Sequence, residues 1–294
     1  MRFLITGATG FLGSRSAALL SERGHDVVAL ARPGGADRAL SAGLDAVRMD
    51  AGDPAARDLI AGCDVVLHFA GVPDPARARE DPARAVRENA GTTLNLLEGC
   101  HAHGAGLVYP SSIRAALERP PDAYALSKRL GELACTLHSA RSTAVRLTSV
   151  FGPGQVAWEG ATGAIARFAA RALDGESIVI PGDPTRTRDF VYVDDAVSAL
   201  EAIADRGLWN ETFTLASGVS TSLIRAAELV AKATGSSRPI EMPGGELEPA
   251  ENDSYSAVDA GPRLAFDVRP LDEGISRYVD WLSRHPAAQG RARA

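Results

Sequence analysis

Three glycines at a spacing of three, Gly7, Gly10 and Gly13, follow directly on the apolar run Phe3 to Thr6, and the residues after Gly13 turn to helical spacing. A strand that enters a glycine-rich turn and leaves it as a helix is the geometry that binds a dinucleotide pyrophosphate. Bare backbone lets the chain approach the phosphates, and the helix N-terminus offers unpaired N–H groups to their charge. Such turns usually read G-x-G-x-x-G. This one reads G-x-x-G-x-x-G, so the rest of the chain has to say which kind of dinucleotide protein carries it.

The 294 residues suffice for one large α/β domain or for a large and a small one. A hydrophobic content of 45% and a charged content of 23% are those of a globular protein with a sizeable core. The net charge of −6 argues against general affinity for nucleic acid and leaves room for a local basic pocket. Cys63, Cys100 and Cys135 are scattered and show no C-x-x-C spacing, which speaks against a disulfide framework or a zinc site and for a reducing compartment. The first apolar run starts at residue 2, leaving no room for a signal peptide, and no apolar run approaches the ~18 residues of a membrane span. A cytoplasmic protein without a membrane or nucleic-acid partner is expected.

Short β-type runs at 2–6, 26–31, 45–48, 64–69, 106–110 and 143–148 alternate with helical spacing at 11–22, 83–102 and 122–139. This pattern predicts an α/β fold, a doubly wound parallel Rossmann sheet over residues 1–150. After Phe151 the pattern loosens into a smaller C-terminal substrate-binding lobe, 151–284, with 184–205 returning to the first domain and 285–294 as a frayed tail.

Tyr124-Ala-Leu-Ser-Lys128 opens the helix predicted at 122–139, and four residues put Tyr124 and Lys128 on one face. A phenol with a reference pKa of about 10 is a poor base near neutrality. Lowering it by about three units takes roughly 4 kcal/mol of differential stabilisation. A lysine ammonium and an oxidised nicotinamide ring are expected to supply it, making Tyr124 a general base on an alcohol or a general acid on a ketone. Ser111 and Ser112 end the strand GLVYP, where ligands of a parallel sheet bind, and a hydroxyl there can hold the substrate oxygen. Taken singly, each of these features also reads as a surface pair or a serine turn.

In this order the motifs TGATGFLG (6–13), MDAGD (49–53), HFAG (68–71), ENAGTTLNLLE (88–98), VYPSS (108–112), YALSK (124–128), RLTSVFGPG (146–154) and RDFVYVDDAVSAL (188–200) resemble those of the extended short-chain dehydrogenase/reductase family, the NAD-dependent epimerase/dehydratase type. The resemblance covers nearly the whole chain. It implies Ser112, Tyr124 and Lys128 as catalytic residues. It implies a cofactor site of Gly7, Thr9, Gly10, Phe11, Leu12, Gly13, Asp50, Ala51, Phe69, Ala70, Gly71, Asn89 and Ser111, with Tyr124 and Lys128 as acid/base and cofactor clamp. Asp50 is placed near the adenine, and Asn89 and Thr92 tie a nearby helix to the sheet. Arg188 matches an arginine that grips a diphosphate in nucleotide-sugar members. Asp194-Asp195 reads as a helix N-cap rather than a metal site, and no metal is expected.

At the end of the second predicted strand, where an acid would bind the ribose 2′-OH, the chain reads Ala31-Arg32. Losing the acid removes repulsion and the arginine supplies a charge-assisted fork, so NADP is preferred over NAD, with Arg38 as a helper. Arg32 stacking on adenine with NAD bound is the other reading. Three departures from the family bear on the substrate. The stretch from Ser112 to Tyr124 is short and carries Ala116-Leu117 in place of a tyrosine-glycine pair. Ser149 replaces a common asparagine. The segment 246–254 offers glutamates where a second diphosphate arginine is usual, and Arg186 is a candidate substitute.

The expected activity is hydride transfer at a secondary alcohol or ketone carbon, most naturally of a nucleotide-linked sugar bound through Ser112, Ser149, Arg186 and Arg188. An NADP-type site fits a net 4-ketoreductase better than a 4-epimerase, which returns the hydride. The alternatives are an NADPH-dependent reductase of a non-nucleotide carbonyl compound, resembling dihydroflavonol reductases, and a non-catalytic cofactor-binding regulator. The family resemblance also implies a homodimer through the helices at 83–102 and 122–139, with Cys100, Leu133 and Leu137 on that face. Packing of these residues on the sheet is the open alternative.

Overall fold

Apolar runs such as FLIT and VVLH, without polar alternation, need cover on both faces, and a parallel sheet under helices supplies it. The computed structural model describes residues 1–33, 45–160, 163–247, 254 and 262–291. In chain order these form β1 (Arg2–Thr6), α1 (Phe11–Glu22), β2 (Asp26–Ala31), β3 (Asp45–Arg48), β4 (Val65–His68), α2 (Pro75–Glu80), α3 (Pro82–Val86), α4 (Thr92–His103), β5 (Gly106–Ser112), α5 (Ala123–Leu137) and β6 (Ser142–Leu147). There follow β7 (Ser149–Phe151), α6 (Ala164–Leu173), β8 (Ile178–Pro181), β9 (Thr187–Tyr192), α7 (Val193–Asp205), β10 (Thr212–Leu215), β11 (Ser220–Ser222), α8 (Leu223–Thr234), β12 (Ile240–Gly244), α9 (Leu271–Ser283) and α10 (Pro286–Arg291).

Two units result. Within the described residues the first takes Met1–Leu147, Val197–Leu215 and 262–265. Its sheet has seven strands in the order β3-β2-β1-β4-β5-β6-β10, all paired in parallel. This is the Rossmann arrangement. The chain winds outward one way from β1 through β2 to β3 and the other way from β4, so the direction reverses between β1 and β4. A ligand crevice opens at such a switch point, outside the carboxyl ends of the strands. Leu4, Leu30, Val66, Leu96, Leu107 and Tyr109 fill the core between sheet and helices, each full burial contributing about 1.5–3 kcal/mol.

The second unit, described by itself, holds a three-stranded sheet β11-β9-β7 and the parallel pair β12-β8. Phe151, Phe168, Ile180, Tyr192, Val230 and Tyr278 belong to its separate core.

Several expectations are revised here. The segment that rejoins the first unit is 197–215 rather than 184–205, because β9 pairs with β7 and β11, while Thr212–Leu215 adds a seventh strand beside β6. The helix expected over 83–102 runs on through α3 and α4 but is not regular: between the end of α3 at Val86 and the start of α4 at Thr92 a single π-turn occupies Arg87–Gly91. The expected frayed tail contains α10, preceded by His285, whose Nδ1 accepts from the Ala287 N–H and whose ring lies 5.2 Å from that of Trp281. Among the described residues no helix is long and apolar enough to cross a membrane.

The helix α5 lies on β5 with Gly131 against the ring of Tyr109; an added Cβ would sit 2.7 Å from its Cε1. Tyr109 is fully buried and has nowhere to move. Gly131→Ala is therefore expected to lower stability by about 1–3 kcal/mol through overpacking, read as a lower urea midpoint with an unchanged slope.

Candidate active site

The glycine turn meets the steric demand that its spacing implied. Gly7 has φ +65°, and a Cβ there would lie 2.6 Å from the carbonyl carbon of Phe69. The neighbouring Gly13 is buried with its Cα against the Gly7 carbonyl. Gly10 caps α1 with no side-chain hydrogen bond, and the first turn carries no acid. The N–H groups at the start of that helix therefore face an anion without a competing carboxylate, and Thr9, Phe11 and Leu12 stay partly open around them. Phe69, Ala70 and Gly71 follow β4 alongside, where the Ala70 N–H donates to Thr6 Oγ1 at 3.1 Å. The same hydroxyl is hydrogen-bonded to His68 Nδ1, 2.8 Å away. His68 is fully buried, and burial, helped by the charge of Lys128, pushes its pKa down to about 3, so the ring is neutral. This glycine-floored edge fits a dinucleotide pyrophosphate.

Farther along the edge, Ala51 is buried and Asp50 exposed. Arg32, placed just past β2, points its fork at Glu88, with Nη2 to Oε2 at 3.0 Å and Nη1 to Oε1 at 3.4 Å; its Nε lies 3.9 Å from Asp50 Oδ2. Glu88 also accepts from Arg84 Nε at 2.6 Å. Arg38 and most of 246–254 lie outside the described residues. Asn89, fully buried, uses its amide three times: it accepts from the Val72 N–H at 2.8 Å and donates to the Val72 carbonyl and to Ser127 Oγ.

The structure brings Ser112, Tyr124 and Lys128 together. Ser112 ends β5, and its hydroxyl lies close enough to the Tyr124 phenol to favour the phenolate. Asp122 caps α5 by accepting from the Ala125 N–H at 2.8 Å, which sets Tyr124 in the first turn. Lys128, one turn on, donates from Nζ to the Pro110 carbonyl at 2.9 Å and lies 4.9 Å from the centre of the Tyr109 ring. Burial pushes its pKa down to about 8 against the pull of Glu132. The expectation joins Lys128 to an oxidised nicotinamide ring in lowering the tyrosine pKa, and Lys128 by itself is not among the groups that lower it. Burial pushes Tyr124 up to about 12, opposed by the Ser112 hydrogen bond and by Arg114.

Three side chains around this trio went unnoticed in the sequence. Arg114 sits in the short Ser112–Tyr124 connection, a 3-10 turn over Ile113–Ala116, and pairs with Asp122 at 2.6 Å. Arg129 holds the same connection by donating to the carbonyls of Leu117 and Glu118, both at 3.1 Å. Glu132 is 4% exposed and accepts from Ser111 Oγ at 2.6 Å and from Arg146 Nε and Nη2 at 3.0 and 2.7 Å. Its signal was legible, since Tyr124, Lys128 and Glu132 stand at successive fours on one helix face. Ser111 thus spends its hydroxyl on Glu132.

In the second unit Ser149 opens β7, and Arg188 lies on the neighbouring β9, two residues before Phe190, the register partner of Ser149. Arg188 donates to the Thr187 carbonyl at 2.8 Å. Arg186 is 6% exposed and its Nη1 donates to the carbonyls of Pro181 and Asp183 at 2.7 and 2.5 Å, pinning its own turn. Asp189, also missed, accepts the Ser217 and Gly218 N–H groups, both at 2.7 Å. Asp195, in the first turn of α7, accepts the Arg269 N–H at 2.9 Å.

A profile of the NAD dependent epimerase/dehydratase family matches residues 3–216. The chain belongs to this family. It is 28% identical to the dTDP-4-dehydro-6-deoxy-D-allose reductase of Streptomyces bikiniensis, with 96% of both chains aligned. It is 30% identical to the dTDP-glucose 4,6-dehydratase of Streptomyces griseus, over 96% of this chain and 94% of the relative. Among solved structures, the UDP-glucose 4-epimerase of Thermus thermophilus in complex with NAD superposes with a TM-score of 0.79 at 27% identity, covering 97% of this chain and 99% of that one. The fold and the ordered motifs therefore belong to a family of enzymes.

Lys128 carries a cost that the geometry exposes. Its folded pKa lies below the unfolded value of about 10.4, so between those values the unfolded chain binds more protons and stability rises with pH. Lys128→Met is expected to stabilise the cofactor-free protein at pH 7 by about 1–2 kcal/mol. The gain should shrink as pH climbs from 8 toward 10, in urea unfolding curves taken across that range.

Proposed function

We propose that this chain transfers hydride at the 4-position of a nucleotide-linked sugar, as a 4-ketoreductase or 4-epimerase, with NADP preferred over NAD. One observation carries the reading: the Tyr124 phenol and the Ser112 hydroxyl come close together at the carboxyl end of β5, with Lys128 one turn behind Tyr124 on α5. A nicotinamide dinucleotide at the Gly7–Gly13 turn supplies the hydride donor or acceptor. Ser112 holds the substrate oxygen, and Tyr124 gives its proton to that oxygen as a carbonyl is reduced or takes it as an alcohol is oxidised. Arg114 is the cation that favours the phenolate, and Lys128 clamps the cofactor side. Ser149 and Arg188 are assigned to the diphosphate, and Arg186 shapes the turn beside them. The named relatives act on dTDP- and UDP-linked sugars, which fits this reading better than a reductase of non-nucleotide carbonyl compounds. The NADP preference rests on Ala31 and Arg32.

Tyr124→Phe is expected to cut turnover by about 10²–10⁴-fold while leaving cofactor affinity near wild type. Unchanged turnover of dTDP- or UDP-sugar substrates by the variant would sink the acid/base role.

We also infer a homodimer through the α4 and α5 faces. Leu94, Leu126, Leu133 and Leu137 are exposed there, Leu137 by 83%, whereas Cys100 is buried in its own core rather than on that face. The three unpaired, buried cysteines suit a reducing, cytoplasmic setting. Leu133→Glu should give a monomer by light scattering at concentrations where the wild type is dimeric.

A further inference from the structure

We propose that Glu88 sets the balance between NADP and NAD by holding Arg32 in an ion pair that a 2′-phosphate has to displace. This rests on the dinucleotide reading above, and it deepens that reading at the ribose end. Both nitrogens of the Arg32 fork already face Glu88, at 3.0 and 3.4 Å, in the bidentate manner by which an arginine grips a phosphate. A 2′-phosphate at the end of β2 competes for that same fork and also meets the charges of Glu88 and of Asp50, 3.9 Å from Arg32 Nε. A ribose 2′-OH meets no such penalty.

Glu88 is held firmly enough to act this way. It lies in the π-turn Arg87–Gly91, an irregularity found most often at functional positions. The next residue, Asn89, is locked to Val72 and Ser127 by its buried amide. On its other side Glu88 is shared with Arg84, at 2.6 Å, which draws part of its charge away from Arg32. The cluster of two arginines and two carboxylates is neutral, so altering either flanking charge tilts it one way.

Fluorescence titration of NADH and NADPH with the full chain at about 0.1 M salt tests the proposal, because it reads binding rather than turnover. Glu88→Gln is expected to raise the preference for NADPH over NADH by about threefold to fivefold, the scale of one exposed ion pair. Arg84→Gln, at an exposed position where folding is not at stake, should move the ratio the opposite way by frustrating release of Arg32. Both shifts should shrink severalfold in an Arg32→Ala background, where only the direct charge of each side chain is left. A ratio unchanged by both variants overturns the proposal, and so does a fall in NADPH preference on Glu88→Gln, which would make Glu88 a support that presents Arg32 to the phosphate. Shifts of equal size without Arg32 overturn it too, since they would be a general field effect. Loss of both NADH and NADPH binding in the wild type would instead defeat the dinucleotide reading itself.

Discussion

The carboxyl edge of the first sheet is held by the amide of Asn89. It ties the backbone at Val72, just past β4, to Ser127 on α5, with all three of its hydrogen bonds inside the protein. Val72 continues the stretch that passes over the glycine turn, and Ser127 sits between Tyr124 and Lys128 in sequence. The cofactor edge and the proton-transferring helix are therefore registered to each other through one side chain. Buried amides of this kind are costly to leave unsatisfied, about 1–3 kcal/mol per lost partner, so the registration is enforced by energy as well as by shape. The π-turn around Asn89 follows from the same demand: the helix breaks its regular spacing there so that Asn89 faces the sheet while Arg84 and Glu88 remain at the edge.

Behind this edge one cluster of buried polar groups is satisfied internally. Glu132 gathers Ser111 and Arg146, so a carboxylate, a guanidinium and a hydroxyl satisfy one another where solvent cannot. The pair costs stability relative to an apolar core, yet it fixes the face of α5 that carries Tyr124 and Lys128. The second unit repeats the device by itself: Asp189 receives two backbone N–H groups, and Arg186 gives its hydrogens to two backbone carbonyls. An arginine so engaged acts on its loop first, which separates Arg186 from Arg188 although both lie in one motif.

Much of the first unit could be read from its residues because the relevant forces act locally. FLIT, DVVALA and DVVLHF announce buried parallel strands, and the glycine spacing announces the turn. What escaped depends on partners far apart in sequence. Thr212–Leu215 is too short and too polar to signal a strand until β6 offers it an edge, with Thr212 opposite Ala144. The Arg32–Glu88 pair joins positions 56 residues apart, and neither residue taken alone says that the other is its counter-ion. Arg114 belongs to a short connection, and only that shortness brings it to Asp122 and toward Tyr124. The protonation of Tyr124 escaped for a related reason. Sequence shows which cations stand nearby, whereas the shift is dominated by desolvation, a property of everything packed around the ring.

That desolvation has a consequence for the direction of the chemistry. With Tyr124 pushed up to about 12, the resting site holds a proton on the phenol throughout the neutral range. Lys128, pushed down to about 8, still carries its charge through most of the neutral range. A protonated tyrosine beside a serine is ready to donate to a carbonyl oxygen. Removing a proton from an alcohol demands additional positive charge at the site, and an oxidised nicotinamide provides that where a reduced one does not. On the proposed function, the trio's own surroundings favour the reductive step, and its use as a base depends on the redox state of what is bound. In such a site the electrostatics of burial, together with the identity of the three side chains, would set which half of the reaction is favoured.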